Sequence, residues 1–227
     1  MRMDKILPVN KPVGMTSYDV IRRFKQTVHP DYKIGHGGTL DPFADGVLLL
    51  LLGHATKKMG ELSMLPKTYR AVAKLGARSD TLDVTGKLKI RRQTIDVSLT
   101  KEKIQAAANK FVGEIEQTVP NYSAAKIDGV PRYKLARRGE TMREKSKKVV
   151  IHTLVIESIK DDRVVFTTTV SSGTYIRQLS YDLLKSLGIE SYLEKLTREK
   201  IGEFDLSRCC QITDFSSSKY LDKAVQI

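Results

Sequence analysis

Cysteine is almost missing from this 227-residue chain: there are two, adjacent at Cys209 and Cys210. Neighbouring thiols make neither a disulfide framework nor a paired metal knuckle, so both are expected to be reduced and structural. Histidine is nearly as scarce. The four, at positions 29, 36, 54 and 152, never take the short spacing of a helical metal pair, and no metal site is expected. Long hydrophobic runs are lacking too. The longest, "VLLLLL" at 47–52, falls far below the roughly 20 residues that a bilayer span requires, and reads as a buried strand. The start, "MRMDKILPVNKP", has charges at Asp4 and Lys5 and prolines at 8 and 12. It lacks the apolar core of a secretory signal, so a cytoplasmic protein with no membrane partner is expected.

Acidic residues are also in deficit, 26 against 39 Lys and Arg, a formal net charge of +13. Such an excess points to a polyanionic partner. The positive residues cluster at Arg22-Arg23, Lys57-Lys58, Arg91-Arg92, Arg137-Arg138 and "REKSKK" at 143–148, within the folding part of the chain instead of in a tail. Nucleic acid is favoured over an anionic membrane, because no stretch joins a basic helical face to a large apolar one. With 41% apolar residues, the chain has material for one core, and a single domain over 1–227 is expected.

Thr16 and Asp19 form a Thr-x-x-Asp start signal, after which Val20, Ile21, Phe24 and Val28 recur at helical spacing, predicting a helix of about three turns. "KTYRAVAKLG" alternates as a strand, and "SDTLDVTGK" closes it as a loop. Thr100 is placed to cap a second helix with a stripe of Ile104, Ala107, Ala108, Phe111 and Val112. Residues 121–148 hold nine Lys and Arg and few large aliphatics, which predicts an exposed basic insertion. "VVIHTLVIESI" and "RVVFTTTV" read as two strands joined at Lys160-Asp161-Asp162. A third helix is expected from Tyr175, with Ile176, Leu179, Leu183, Leu184 and Leu187 inward and Gly188 as its stop. "YLEKLTREKIGEFDL" reads as a short helix leading to an edge strand, and no second hydrophobic core follows residue 210. Without regular βαβ alternation, the class is α/β of the α+β type: a mixed, largely antiparallel sheet flanked by helices.

The densest turn chemistry lies in "KIGHGGTLDPFADG", 33–46, directly before the apolar run. Gly35, Gly37 and Gly38 precede Thr39 and a strand, not the Lys-[Ser/Thr] pair and helix of a phosphate-binding loop, so that reading fails. Asp41 before Pro42 would ordinarily be a turn residue. Here, however, a carboxylate lies between glycines and a fully apolar strand, where it is costly unless a cation matches it.

"GHGGTLDPFADGVLLLLLGHATK" resembles the signature of the TruB family of tRNA pseudouridine synthases. "NKPVGMTSYDV", "KTYRAVAKLGARSDTLDVTG", "VPNYSAAKIDGVPRYKLARRG", "SSGTYIRQLSYDLL" and "LTREKIGEF" are similar to further family motifs, in order, over roughly residues 5–215. The resemblance implies the pseudouridine synthase fold and a catalytic nucleophile at Asp41, acting on uridine 55 of the tRNA T loop. It implies Arg177 as the cation that keeps the carboxylate charged, and Tyr69 as the tyrosine that stacks on the flipped uracil and can move a proton. Substrate contacts fall to His36, which would fill the space the base leaves, and to Gly38, Tyr175, Leu196, Arg198 and Lys11. No cofactor and no metal are implied. The partner would be the T arm of tRNA, bound by a monomer, with the basic insertion 121–148 contacting phosphates and the target base extruded from its stack.

Bacterial members commonly carry a C-terminal RNA-binding domain of the PUA type, and none is expected in the few residues after "QITDF". "LTREK" also departs from members with consecutive arginines. Two rival readings stand beside the enzyme: a noncatalytic RNA-binding module, for which Asp41 would be dispensable, and a guide-dependent synthase, which would be inactive on a bare tRNA transcript.

Overall fold

Thr16 caps the first helix as its spacing predicts. In the computed structural model, which describes residues 4–90 and 99–226, the Thr16 hydroxyl accepts from the Asp19 N–H at 3.0 Å and the Asp19 carboxylate accepts from the Thr16 N–H at 2.9 Å. Each satisfies a donor that the first turn would otherwise leave unpaired. The chain forms two compact units, Met1–Arg70 with Leu196–Ile227, and Ala71–Lys195.

In the first unit, strand β1 (Asp4–Lys11) leads to helix α1 (Ser17–Val28), then to β2 (Ile34–His36), β3 (Asp45–Gly53) and a short helix α2 (Met59–Met64). The apolar run is explained by the position of β3. It pairs antiparallel with β1 on one edge, Leu7 opposite Leu50, and with β2 on the other, His36 opposite Leu50. Both of its faces are covered: Leu48, Leu50 and Leu52 pack with Val20, Ile21 and Phe24 of α1, while Val47, Leu49 and Leu51 pack with Ala55, Leu62 and Ile201. A strand buried on both sides reads as continuous, not alternating, hydrophobicity. Helix α1 ends at His29, whose φ of 49° is left-handed and whose N–H donates to the Lys25 carbonyl.

Strand β4 (Lys67–Leu75) begins in the first unit and ends in the second, where Ala71, Ala73 and Leu75 point inward as the alternation predicts. A hairpin of β5 (Ala77–Ser79) and β6 (Leu88–Ile90) follows; the Arg91-Arg92 pair lies outside the described residues. Helix α3 (Lys101–Asn109) starts at Thr100, whose hydroxyl accepts from the Lys103 N–H, and buries Ile104, Ala107 and Ala108. It stops short of the expected stripe: Phe111 and Val112 lie beyond its cap, and Val112 is exposed. Gly113, at φ 108°, instead turns the chain into β7 (Gly113–Thr118).

The insertion is less open than its charge suggests. It forms a two-residue ladder of β8 (Lys126–Ile127) with β9 (Val130–Pro131) and a helix α4 (Arg132–Arg137), then joins β10 (Ser146–Lys160). Ser123 and Arg132 within it are buried. Strand β10 pairs antiparallel with β7 and with β11 (Arg163–Val170). Helix α5 (Ile176–Lys185) buries Ile176, Leu179, Leu183 and Leu184 as expected, whereas Leu187 lies beyond its cap and is half-buried, and Gly188 follows in a left-handed conformation.

The segment from Tyr192 is not the expected helix but strand β12 (Ser191–Ile201). Leu193 and Leu196 sit three apart and suggest a helical stripe, but backbone partners decide the matter. Leu193 donates to Leu82 in the second unit. In the first unit, Thr197 and Arg198 pair in parallel with Asp45 and Gly46 of β3, and Lys200 and Ile201 pair with β13 (Phe204–Asp205). The last elements, α6 (Tyr220–Lys223) and β14 (Val225–Gln226), return to the first core: Phe215 and Tyr220 meet Phe24 edge-on at 5.0 and 5.3 Å, and β14 pairs with β1. The parallel β3–β12 pair among antiparallel ones makes the sheet mixed, in an α+β fold. Among the described residues, no helix is long and apolar enough to cross a membrane.

Candidate active site

In the first unit, Asp41 occupies a tight turn between β2 and β3. Its carbonyl accepts from the Ala44 N–H at 3.1 Å, the next carbonyl, Pro42, accepts from Gly14 at 2.7 Å, and the preceding Leu40 N–H donates to the Ser17 hydroxyl at 2.9 Å. The turn is therefore tied to the start of α1 through the Ser17 hydroxyl and to the segment before it by a main-chain bond. The Asp41 side chain is partly exposed.

Arg198 secures the same turn from the other side. Its guanidinium, 1% exposed, donates from Nε to the Val47 carbonyl at 2.7 Å, from Nη1 to Thr39 at 3.1 Å and from Nη2 to Gly38 at 3.2 Å. Three donors in a rigid fork fix three acceptors, which a single ammonium could not do. Gly46 makes the approach possible. A Cβ placed on it would lie 2.2 Å from the Arg198 carbonyl oxygen, and its φ of 110° belongs to glycine. The glycines of the stretch thus have at least one physical cause, the closeness of β12 to β3.

Lys11 is buried, and its ammonium donates to the Pro12 and Met15 carbonyls at 2.9 and 2.7 Å. Burial pulls its pKa down to about 8; Asp45 and Asp41 pull it back up, while Arg198 and Asp19 act in opposite senses, Arg198 downward and Asp19 upward. Lys67 is the second buried lysine, donating to the Ser63 and Leu65 carbonyls, and burial followed by the Arg198 charge lowers it to about 8. Burial, then Arg198, also holds His36 below the ordinary imidazole value. Its Nδ1 is buried without a hydrogen-bond partner, so an uncharged ring suits this place. Tyr69 and Leu196 are buried side chains of β4 and β12. Of the predicted residues, Lys11, Gly38, Asp41 and Arg198 are brought together within this unit.

In the second unit, Tyr175 and Arg177 open α5. Arg177 is 5% exposed and donates from Nη1 to the Thr81 carbonyl at 2.7 Å and from Nη2 to Tyr122 at 3.0 Å. Its Nη1 also lies 3.4 Å from Oδ2 of Asp83, itself buried. A cation in the first turn of a helix opposes the helix dipole, and these acceptors offset that cost. Asp83 is fixed in turn: its Oδ1 accepts from the Thr81 hydroxyl, the Thr85 N–H and the Thr85 hydroxyl at 2.8, 2.9 and 2.5 Å.

Sequence reasoning passed over Lys67, Asp83, Gln117 and Lys147. The Asp-x-Thr spacing in "LDVTG" is a local signal for a carboxylate that folds back on its own turn. Gln117 and Lys147 have no such signal. Their partners lie far along the chain: Gln117 exchanges two hydrogen bonds with the Tyr175 main chain, and Lys147 lies over the Tyr175 ring.

The model of the family "TruB family pseudouridylate synthase (N terminal domain)" matches residues 22–176. The chain belongs to the TruB family. Its relatives include the tRNA pseudouridine synthase B of Fusobacterium nucleatum subsp. nucleatum, 42% identical over 204 residues, 90% of this chain and 70% of that protein. That of Aquifex aeolicus is 39% identical over 219 residues, 96% of this chain and 75% of that protein. Among solved structures, a chain in the crystal structure of a Cbf5-Nop10-Gar1 complex superposes with a TM-score of 0.73 at 27% identity, covering 96% of this chain. This TruB-family chain spans 55% of that one's length. The family match includes the Asp41 turn, Tyr69 and Tyr175, and stops at the residue before Arg177.

Proposed function

We propose that the chain is a tRNA pseudouridine synthase, an isomerase acting on uridine 55 of the T loop with Asp41 as its nucleophile. The observation that carries the reading is the setting of Asp41. Its turn is held by main-chain bonds on one side and by the Arg198 fork on the other, as a nucleophile in a fixed attack geometry demands. The relatives named tRNA pseudouridine synthase B support the substrate class.

In this reading the target uridine is extruded from the T loop at a cost of a few kcal/mol. The neutral His36 ring fills the vacated space, and Tyr69 receives the base. Asp41 assists rupture of the C1′–N1 bond; the uracil turns, C1′ joins C5, the C5 proton leaves and N1 takes a proton. Nothing is oxidised or hydrolysed, so atoms and electrons balance without a co-reactant. Arg177 supplies the positive charge that keeps the nucleophile ionised, and Gly38, Tyr175, Leu196 and Lys11 complete the base and backbone contacts. The basic insertion engages the T arm through phosphates, giving binding that weakens with salt. The chain acts as one catalytic domain, as a cytoplasmic monomer.

The test is tritium release from C5-labelled uridine in an unmodified tRNA transcript, with a transcript carrying cytidine at the target position as control. Release by the wild type and none by Asp41→Asn, with transcript binding retained, is the expected result. Equal release from both proteins refutes it. Likeness to a chain found in a Cbf5-Nop10-Gar1 complex gives a second reading, a partner-dependent synthase, which conversion of the bare transcript by this chain alone excludes.

A further inference from the structure

Gln117 and Lys147 stand directly opposite each other in the β7–β10 ladder. Directly opposed residues of an antiparallel pair project to the same face, and here both side chains reach the same three-residue target, Gly173 to Tyr175. The Gln117 amide makes two bonds to one residue: its Oε1 accepts from the Tyr175 N–H at 2.8 Å and its Nε2 donates to the Tyr175 carbonyl at 3.1 Å. Tyr175 is the N-cap of α5 and has no side-chain cap of its own, so the amide supplies from 58 residues away the order that a local cap would give. Gln117 is 1% exposed. The Lys147 ammonium donates to the Gly173 carbonyl and lies 4.3 Å from the centre of the Tyr175 ring. It packs so closely that a Cβ on Gly173 would lie 2.9 Å from its Nζ.

The pair also sits at the root of the basic insertion. One step further along the ladder, Thr118 faces Ser146, and then the Val119 N–H donates to the Lys145 carbonyl at 2.7 Å. This bond closes the root of the segment from Pro120 to Glu144, which also meets α5 where the Tyr122 carbonyl accepts from Arg177 at 3.0 Å. The strands that carry the insertion therefore end on the residues that grip the start of α5, two positions before Arg177.

We infer that Gln117 and Lys147 are a positioning pair, which sets the entry of α5 and hence the placement of Arg177, and which transmits RNA engagement by the insertion to that helix. The inference rests on the proposed role of Arg177 in the reaction. Neither residue touches the reacting atoms. Each acts through the Gly173 to Tyr175 turn, and a displacement of an ångström at a reacting group can cost about 100-fold in rate.

The experiment uses Gln117→Leu, Lys147→Met and Lys147→Arg in the full chain, with two readouts. The first is single-turnover conversion of the tRNA transcript at saturating enzyme, alongside its Kd. Gln117→Leu and Lys147→Met are expected to lose about 10- to 100-fold in rate while Kd changes less than about threefold. Lys147→Arg, which keeps a cation over the ring, recovers most of the rate. The second is hydrogen exchange at residues 173–179: faster in Gln117→Leu and Lys147→Met, and slowed by transcript binding in the wild type but not in Lys147→Met. Half-buried Lys147 guards against a variant that merely fails to fold. A loss confined to Kd would make Lys147 a phosphate contact and overturn the inference, as would unchanged exchange at 173–179. If the wild type converts no transcript, the proposed function falls, and the exchange readout alone decides whether the pair grips the helix.

Discussion

Gly46 and Arg198 are neighbours across a parallel strand pair, so close that no side chain larger than hydrogen fits between them. Gly46→Ala would have to push β12 away from β3 or abandon a φ of 110°. Strain of this kind costs about 1–3 kcal/mol before any clash is added. The expected outcome is a drop of at least that size in urea unfolding free energy, and an unchanged midpoint would show that the strands separate freely.

Arg198→Lys keeps the charge and loses the fork. One ammonium cannot meet the Gly38, Thr39 and Val47 carbonyls together, and each buried acceptor left unpaired costs about 1–3 kcal/mol. Stability should fall by that order, and single-turnover conversion should fall further than transcript affinity. A variant with full rate and weakened affinity would make Arg198 an RNA contact instead of an anchor.

Lys67 makes stability depend on pH in a sense that can be stated in advance. Its folded pKa, about 8 against 10.5, lies below the unfolded value. The unfolded chain therefore binds more protons between those pH values, and stability from this residue rises with pH through the window. Cys209 and Cys210, held up at about 12 by burial, push the other way above pH 9 but are common to wild type and variant. Comparing unfolding of wild type and Lys67→Met at pH 7.5 and 10, the wild type should gain on the variant at the higher pH. A constant difference would mean that the ammonium titrates as it does in water.

Arg132 ties the two ends of the insertion together, donating to the Pro120 carbonyl, the Arg143 carbonyl and the Asn121 side chain at 3.3, 3.1 and 2.7 Å. Arg132→Met should free the segment without unfolding the protein. Trypsin cleavage after Arg137 or Arg138 is expected to accelerate about tenfold, the equivalent of about 1.4 kcal/mol of lost local order. Equal cleavage rates in both proteins would show that the segment is held elsewhere.

What could be read in advance divides along a physical line. Helices α1 and α5 were legible because their caps and inward residues lie within a few positions of one another, and β3 because burial on both faces leaves an unbroken apolar run. β12 was not, since Leu193 and Leu196 sit three apart, as on a helix face, and only strand pairing such as that with β3 overrides the local pattern. The same holds at the site. Asp41 stood out by its context and by the family motif around it. The grip of Gln117 on Tyr175 depends on which residues face each other across β7 and β10, about 30 positions apart, and no local pattern announces that register. Arg132 was hidden by its type, because arginine in a basic stretch looks solvated until three acceptors are found around it.

The fork of Arg198 takes hold of carbonyl groups alone, and every residue type has one. The exposed side chain of Thr39 is therefore uncommitted to the scaffold, although its main chain is pinned. Position 39 can exchange its side chain while the frame beneath it holds still: the grip is on the backbone, and the side chain is left to vary.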